Sequence, residues 1–273
     1  MIKISVIVTT YNRADALALV LKALAAQKNP KIGEPIISAF EVIVTDDGSM
    51  PAAAELTKTL QPHLPYPLQF LWQEDKGFRA AKARNRAIAA AQGKYFIFLD
   101  GDCIPPSDFI ARHCQLAEKN CFVAGNRILL SQKFTAAVLQ KSFQGNIWTW
   151  RITQWLLPYL RRDINRFLPL LRLPNSPLRK RKKQKWQGAK TCNLAVWRED
   201  ILKIKGFDEQ FQGWGHEDAE LVVRLLHNEV QRKEGRFAVP VFHLWHLEQD
   251  RRFEKKNRQR LEQKLCEERF KTI

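Results

Sequence analysis

The sequence predicts an α/β domain built on a mostly parallel central sheet flanked by helices. Three observations carry that prediction. Between Lys3 and Leu99, β-branched runs and amphipathic stretches follow in the order strand, helix, strand, strand, helix, strand. Three of the strands end in polar or acidic clusters, TTYNR, DDGS and DGD. The hydrophobic fraction of 45% is enough for a full core in a chain of 273 residues.

Lys3 to Thr9 (KISVIVT) reads as a buried strand because it is rich in β-branched residues. In ADALALVLKALAAQ, Leu17, Val20, Leu21 and Leu24 recur at helical spacing, with Asn12 expected as the cap. Glu41 to Thr45 is the second strand and Leu68 to Trp72 the third. The Ala-rich stretch from Phe78 to Ala91 is helical, Gly93 stops it, and Tyr95 to Leu99 is the fourth strand. From about Phe134 to Gln187 the character changes. Trp148, Trp150, Trp155 and Trp186 interleave with leucines and basic residues, and residues 151 to 185 hold 11 Lys/Arg against the single acid Asp163. Pro158, Pro169, Pro174 and Pro177 break any long helix, so two or three short amphipathic helices are expected. The α/β pattern then resumes: QGAKTCNLAVW as a strand, GFDEQFQGWGHEDAELVVRLLHN as a loop entering a helix, and RFAVPVFHLWH as a last strand. The charged tail from Arg251 is expected to be helical.

The formal net charge of +17 demands an anionic partner: nucleic acid, a membrane surface or a phosphorylated substrate. Five cysteines (Cys103, Cys114, Cys121, Cys192, Cys266) with no C-x-x-C spacing read as reduced thiols of a cytosolic protein rather than a disulfide framework or zinc site. The first residues read as a strand, not a signal peptide, and no apolar run has transmembrane length.

Four constellations carry chemistry. Asp100 and Asp102, one glycine apart at a strand end, point to one side and suit a hard divalent cation; the plain alternative is a turn. In GWGHEDAEL, Glu217 and Asp218 open a helix behind Trp214 and its two glycines. Acids favour a helix N-terminus in any case, but a Trp platform beside a carboxylate also suits a sugar ring and a general base. His243 and His246 follow an apolar strand and could add metal ligands. Lys76, Arg79, Lys82, Arg84 and Arg86 crowd a helix start, as a solvated face or as a diphosphate partner. There is no P-loop, no G-x-G-x-x-G and no G-x-S-x-G.

Taken in order, VIVTTYNR, VTDDGS, GFRAAKARN, FLDGDC and GWGHEDAEL resemble the family 2 glycosyltransferases with the GT-A fold, over about residues 1–130 and 186–247. The GFR…ARN and GWGxED elements look most like bacterial enzymes building lipopolysaccharide, capsule or chondroitin-like polysaccharide. The resemblance implies an inverting, metal-dependent hexosyl- or N-acetylhexosaminyltransferase. Its donor would be a nucleotide-sugar, with UDP favoured. Its acceptor would be an anionic or lipid-linked glycan: lipopolysaccharide core, O-antigen or capsule.

It also assigns residues. Asp102, Asp100 and His246 would hold Mn2+ or Mg2+, with His243 as runner-up and Asp100 alternatively on the donor ribose. Thr9, Tyr11 and Arg13 would line the nucleotide pocket, Asp46 would meet the uracil ring with Asp47 nearby, and Arg79 and Arg84 would face the diphosphate. Asp218 would be the catalytic base, with Trp214, Glu217 and Asn193 holding acceptor or sugar. The implied division is a nucleotide-sugar half (1–130), a basic Trp-rich helical insertion (131–187), an acceptor and catalytic half (188–250) and a charged C-terminal helix (251–273).

Gln249 to Phe253 nearly matches the Q-x-x-R-W element of processive synthases, a match read as coincidence. The basic stretch 134–187 would contact either an anionic membrane surface or the acceptor, placing the protein in the cytoplasm and at the inner face of its membrane. No nucleic-acid partner is expected. The competing classes are a nucleotidyltransferase, disfavoured by the glycine-free TTYNRAD, and a non-enzymatic basic membrane- or nucleic-acid-binding protein.

Overall fold

The computed structural model describes residues 3–28, 40–140, 145–247 and 250–269, with side chains to 266. The first half is β1 (Ile4–Thr10), α1 (Ala14–Ala25), β2 (Phe40–Asp46), α2 (Ala52–Leu60), β3 (Leu68–Trp72), α3 (Ala80–Ala90) and β4 (Tyr95–Asp100). Every strand expected there is present; α2 was not anticipated. Next come β5 (Cys103–Ile104), α4 (Phe109–Leu116), β6 (Cys121–Ala124), β7 (Asn126–Leu129), α5 (Gln132–Leu139) and α6 (Leu156–Leu160). The chain continues through β8 (Asn193–Trp197), α7 (Arg198–Lys203), α8 (Glu217–His227), β9 (Gln231–Glu234), β10 (Pro240–His243) and α9 (Glu254–Arg269).

The main sheet runs β3-β2-β1-β4-β8-β6-β9. Its first four strands are parallel, and β8 lies antiparallel between β4 and β6. Both faces of its centre are covered, which is why β1 and β4 are almost continuously apolar rather than alternating. Val6, Val8, Val42, Val44, Ile97 and Leu99 face one layer with α1. Ile7, Ile43, Phe96 and Phe98 face the other, with α3 and α8. Each such fully buried side chain contributes about 1.5–3 kcal/mol.

A second sheet, β5-β10-β7, joins the DGD turn to the C-terminal histidines. Cys103 pairs with His243 across the antiparallel β5/β10 step, and the Leu244 amide donates to the Asp102 carbonyl at 2.9 Å. Backbone pairing therefore fixes the distance between residues 140 positions apart in the chain.

Several local expectations are corrected. Asn12 does not cap α1; Arg13 occupies that position without a side-chain bond. Asn12 instead sits at φ +48° and bridges to the DDGS turn, its amide donating to Ser49 Oγ and its Oδ1 accepting from the Met50 amide. The basic stretch is not a set of amphipathic helices. Apart from α5 and α6 its described residues form short 3-10 turns, as its prolines require. Its tryptophans do not form a surface belt either. Trp155 stacks on Phe242 with centroids 4.2 Å apart, and Trp148 is buried too. Gln249 of the Q-x-x-R-W near match lies outside the described residues.

Candidate functional site

The site forms where β1, β2 and β4 end. Thr9 is in register with Asp100, and the Gly101 amide donates to the Thr9 carbonyl at 2.7 Å, turning the chain so that Asp102 stands beyond the sheet. A Cβ on Gly101 would crowd Thr10 at 3.0 Å, so the turn is tight against β1.

Arg84 of α3 is the hub. Its side chain is 5% exposed. Nε donates to Thr9 Oγ1 at 3.2 Å, Nη2 to Asp100 Oδ1 at 3.3 Å and Nη1 to Glu217 Oε1 at 3.4 Å; Asp218 Oδ1 lies 3.7 Å from Nη1. Burial disfavours the guanidinium charge, but Asp218, Asp100 and Glu217 outweigh it and its pKa rises. Arg84, expected to face a diphosphate, is held by three carboxylates from within the fold. One cation thus gathers DGD and GHED, more than a hundred residues apart.

Glu217 and Asp218 differ in access. The Glu217 side chain is 10% exposed and that of Asp218 24%. Burial, then the charge of Asp218, pushes the Glu217 carboxyl above its ordinary range, partly offset by Arg84. Burial likewise raises Asp100, against the attraction of Arg84 and with the charge of Asp102. Asp218 Oδ1 accepts from Thr191 Oγ1 in the lead-in to β8. The loop before them needs its glycines: Gly213 is at φ +74° with Phe253 packed where a Cβ would sit, and Gly215 is at φ +107°. The start of α9 braces this loop. Asn257 Nδ2 donates to the Gln212 carbonyl, and Arg251 covers the Trp214 ring at 4.9 Å.

Asp102, His243 and His246 form a second convergence. Each offers one ligand atom, and these lie within 4.8 Å of one another. The Asp102 Oδ2 oxygen is 3.6 Å from His243 Nε2 and 3.4 Å from His246 Nε2, while Oδ1 is buried with no hydrogen-bond partner. Burial depresses His243 to about 4 despite the pull of Asp102, so its imidazole is neutral and has a lone pair to give. A carboxylate with one orphaned oxygen and the other beside two imidazoles fits a bound cation. Both histidines are in place, not His246 alone. A deeper group, Asp100 with Cys103 and Cys192, also converges; its thiols suit softer metals than a diphosphate-binding ion.

The nucleotide-side residues divide. Tyr11 is exposed and donates to Asp75 Oδ2 at 2.9 Å, a bond that raises its pKa. Arg13 pairs with Asp15 at 3.0 Å. Asp46 Oδ1 accepts from the Gly48 and Ser49 amides at 3.0 and 2.6 Å, leaving the buried Oδ2 without a partner. Asp47 is fully engaged. Its Oδ2 accepts from the Arg79 amide at 2.6 Å and its Oδ1 from Gln73 Nε2 at 2.5 Å, so the fold itself engages the carboxylate expected near the nucleotide. The Arg79 guanidinium donates to the Glu74 carbonyl.

Asn193, expected to hold acceptor or sugar, is 1% exposed and donates to the carbonyls of Asn126 and Val239, with His113 Nε2 at 3.2 Å, so it locks strands together. Thr191 and Asp75 were missed because a single polar residue in a loop has no pattern of its own.

A family model described as glycosyl transferase family 2 matches residues 5–199, and one described as the N-terminal domain of galactosyltransferase matches residues 178–247. Chondroitin synthase of Escherichia coli is 28% identical over 240 residues, 81% of this chain and 32% of that protein. The chain therefore spans about a third of that relative's length. Among solved structures, the mannosyltransferase PcManGT from Pyrobaculum calidifontis in complex with GDP-Man and Mn2+ aligns with TM-score 0.57 and 19% identity, covering 89% of this chain and 57% of that one. S. aureus TarS 1-349 in complex with UDP-GlcNAc aligns with TM-score 0.57 and 15% identity, covering 90% and 60%. Likeness at that identity is one of fold, and the fold is GT-A.

Proposed function

Because the chain belongs to glycosyl transferase family 2, we propose that it moves a sugar from a nucleotide-sugar to a hydroxyl of a glycan acceptor, inverting the anomeric carbon. The observation that carries this reading is the gathering of Asp100, Glu217 and Asp218 around Arg84, one glycine away from Asp102 and its two histidines.

Asp218 is the base. It is the most exposed of the three α8 carboxylates, and Thr191 and Arg84 hold its Oδ1, which leaves Oδ2 for substrate. It takes the proton of the acceptor hydroxyl as that oxygen attacks the anomeric carbon. The bond to the diphosphate breaks, the nucleoside diphosphate leaves, and the proton ends on Asp218. One displacement with no protein nucleophile gives inversion. Asp102, His243 and His246 would hold a divalent cation, whose charge would favour departure of the diphosphate. Two imidazoles and one carboxylate suit Mn2+ better than Mg2+, which takes oxygen ligands.

The donor half is residues 1–130. Tyr11 and the unpartnered Asp46 Oδ2 stand by to receive the base. UDP is the proposed nucleotide, although PcManGT is described with GDP-Man. Residues 188–250 present the acceptor, with Trp214 as its platform. A cell-surface glycan is the proposed acceptor class, reached at the inner face of the cytoplasmic membrane. Among the described residues no helix is long and apolar enough to cross a membrane.

Calorimetric titration of UDP, GDP and CMP with Mn2+, and then with EDTA, tests the reading. UDP should bind most tightly, and EDTA or Asp102→Ala should weaken it about 10–100-fold. If no nucleotide binds with Mn2+ present, the assignment fails.

A further inference from the structure

The basic stretch presents a surface that the transfer chemistry does not use. Its tryptophans pack toward the core, but several of its leucines face out. Leu156, Leu157 and Leu160 of α6 are 50%, 53% and 69% exposed, and Leu168 in the following turn is 63% exposed. Tyr159 and Phe167, with centroids 5.6 Å apart, hold α6 against that turn, so these leucines belong to one surface. Beside them a groove of about 590 Å³ runs between β7 and α6, lined by Leu129, Leu130, Tyr159, Leu160 and Ile164. Prolines fix this backbone without long helices, so the apolar side chains are held outward rather than left free to collapse.

Charge surrounds the leucines. Of the 11 Lys/Arg in residues 151 to 185, three serve the fold. Arg172 pairs with Asp108, Lys180 with Glu118, and Arg179 donates to the carbonyls of Leu173, Pro174, Glu234 and Arg236. The remaining eight are exposed, Arg161, Arg162 and Arg166 immediately beside the leucines. An aqueous acceptor would need the cations but gives no reason to expose the leucines. A bilayer with anionic headgroups uses both, because leucines enter the acyl boundary while arginines remain at the phosphates.

We propose that the face formed by α6 and the turn at Leu168 docks on an anionic lipid bilayer. The inference rests on the glycosyltransferase reading only for its purpose. The groove borders β7, and Leu129 is in register with His243 on β10, next to β5 and Asp102. One strand spacing, about 5 Å, thus separates Leu129 at the groove from His243, and two, about 10 Å, separate it from β5 beside Asp102. A lipid-linked acceptor would reach Asp218 without leaving the surface.

The test is flotation of the purified chain with vesicles of phosphatidylcholine alone or with about one-third phosphatidylglycerol, a content high enough for a strong surface potential. The protein should float only with the anionic vesicles, and L157E/L160E/L168E should lower the bound fraction about tenfold or more. The triple variant should bind UDP with Mn2+ as the wild type does, which separates loss of docking from loss of fold. Equal flotation of variant and wild type, or no flotation of the wild type, overturns the proposal. So does light scattering that finds a wild-type dimer and a monomeric variant, since the leucines would then pack against a second copy. If UDP does not bind while docking behaves as expected, the transferase reading fails and the docking surface stands.

Discussion

Two pairs of carboxylates stand at the ends of the two strands that flank β1, and their surroundings are opposite. Asp46 and Asp47 end β2 and are closed in by donors. Backbone amides of Gly48, Ser49 and Arg79, with the Gln73 side chain, take three of their four oxygens. Asp100 and Asp102 end β4 and face a buried arginine and two imidazoles, with solvent still reaching them and one oxygen of Asp102 left without a partner. The first pair shapes the turn that frames a pocket. The second keeps its charge and lone pairs available. The same residue type at equivalent places in a parallel sheet does different work because the neighbouring donors differ.

Converting carboxylates to neutral groups in the two regions should separate these roles. The largest effect is expected at Asp218, which shares Arg84 with Asp100. Asp218→Asn keeps the shape and the contact to Thr191 but cannot take a proton, so the transfer rate should fall about 10²–10⁴-fold. UDP binding with Mn2+ and the thermal midpoint should stay close to the wild type. A variant with more than a tenth of the wild-type rate would move the base elsewhere, with Glu217 the first candidate.

The contrast sharpens at Asp47. Asp47→Ala leaves the buried Arg79 amide and the Gln73 side chain without their acceptor, at about 1–3 kcal/mol for each group. Denaturant unfolding should report that loss, while the rate per folded molecule falls far less than in Asp218→Asn. If Asp47→Ala were as stable as the wild type but inactive, Asp47 would be a ligand-binding residue as the sequence suggested.

This division was only partly legible in the sequence. Strand and helix order could be read because β-branched runs and the spacing of Leu17, Val20, Leu21 and Leu24 are local patterns. Asp100 and Asp102 stood out because paired acids at a strand end are chemically conspicuous, and Asp218 because it opens a helix behind Trp214 and its two glycines. Roles set by long-range contacts were not readable. Arg84 looks like one of five basic residues in a helix start, and only the packing of α3 beneath two distant motifs turns it inward. Asn193 precedes an apolar strand, and nothing local says that its amide will bind Asn126 and Val239. The tryptophans of the basic stretch failed as guides for the same reason. A Trp-Leu-Arg composition fits a membrane face, but Trp155 finds Phe242 and leaves the exposure to the leucines.

The smallest predicted effect concerns pH and bears on both pairs. Glu217 and Asp47 are both raised above the ordinary carboxylate value, each chiefly by burial. A carboxyl raised on folding binds its proton more tightly in the folded state. It therefore stabilises the fold at low pH, and that contribution disappears as pH climbs from the unfolded value, near 4.5 for Glu217, through the raised one. Glu217→Gln removes one such group without changing its size. Urea unfolding at about pH 5 and about pH 8 should show the wild type losing stability relative to the variant as pH rises, by on the order of 1 kcal/mol. Part of the slope should remain, because Asp47 and Asp100, both raised chiefly by burial, titrate with the same sign. A slope unchanged by Glu217→Gln would mean that Arg84 holds the Glu217 carboxylate ionised throughout. A slope abolished by it would mean that the donors around Asp47 and the Arg84 contact of Asp100 each cancel the cost of burying a charge, leaving both pairs electrostatically silent.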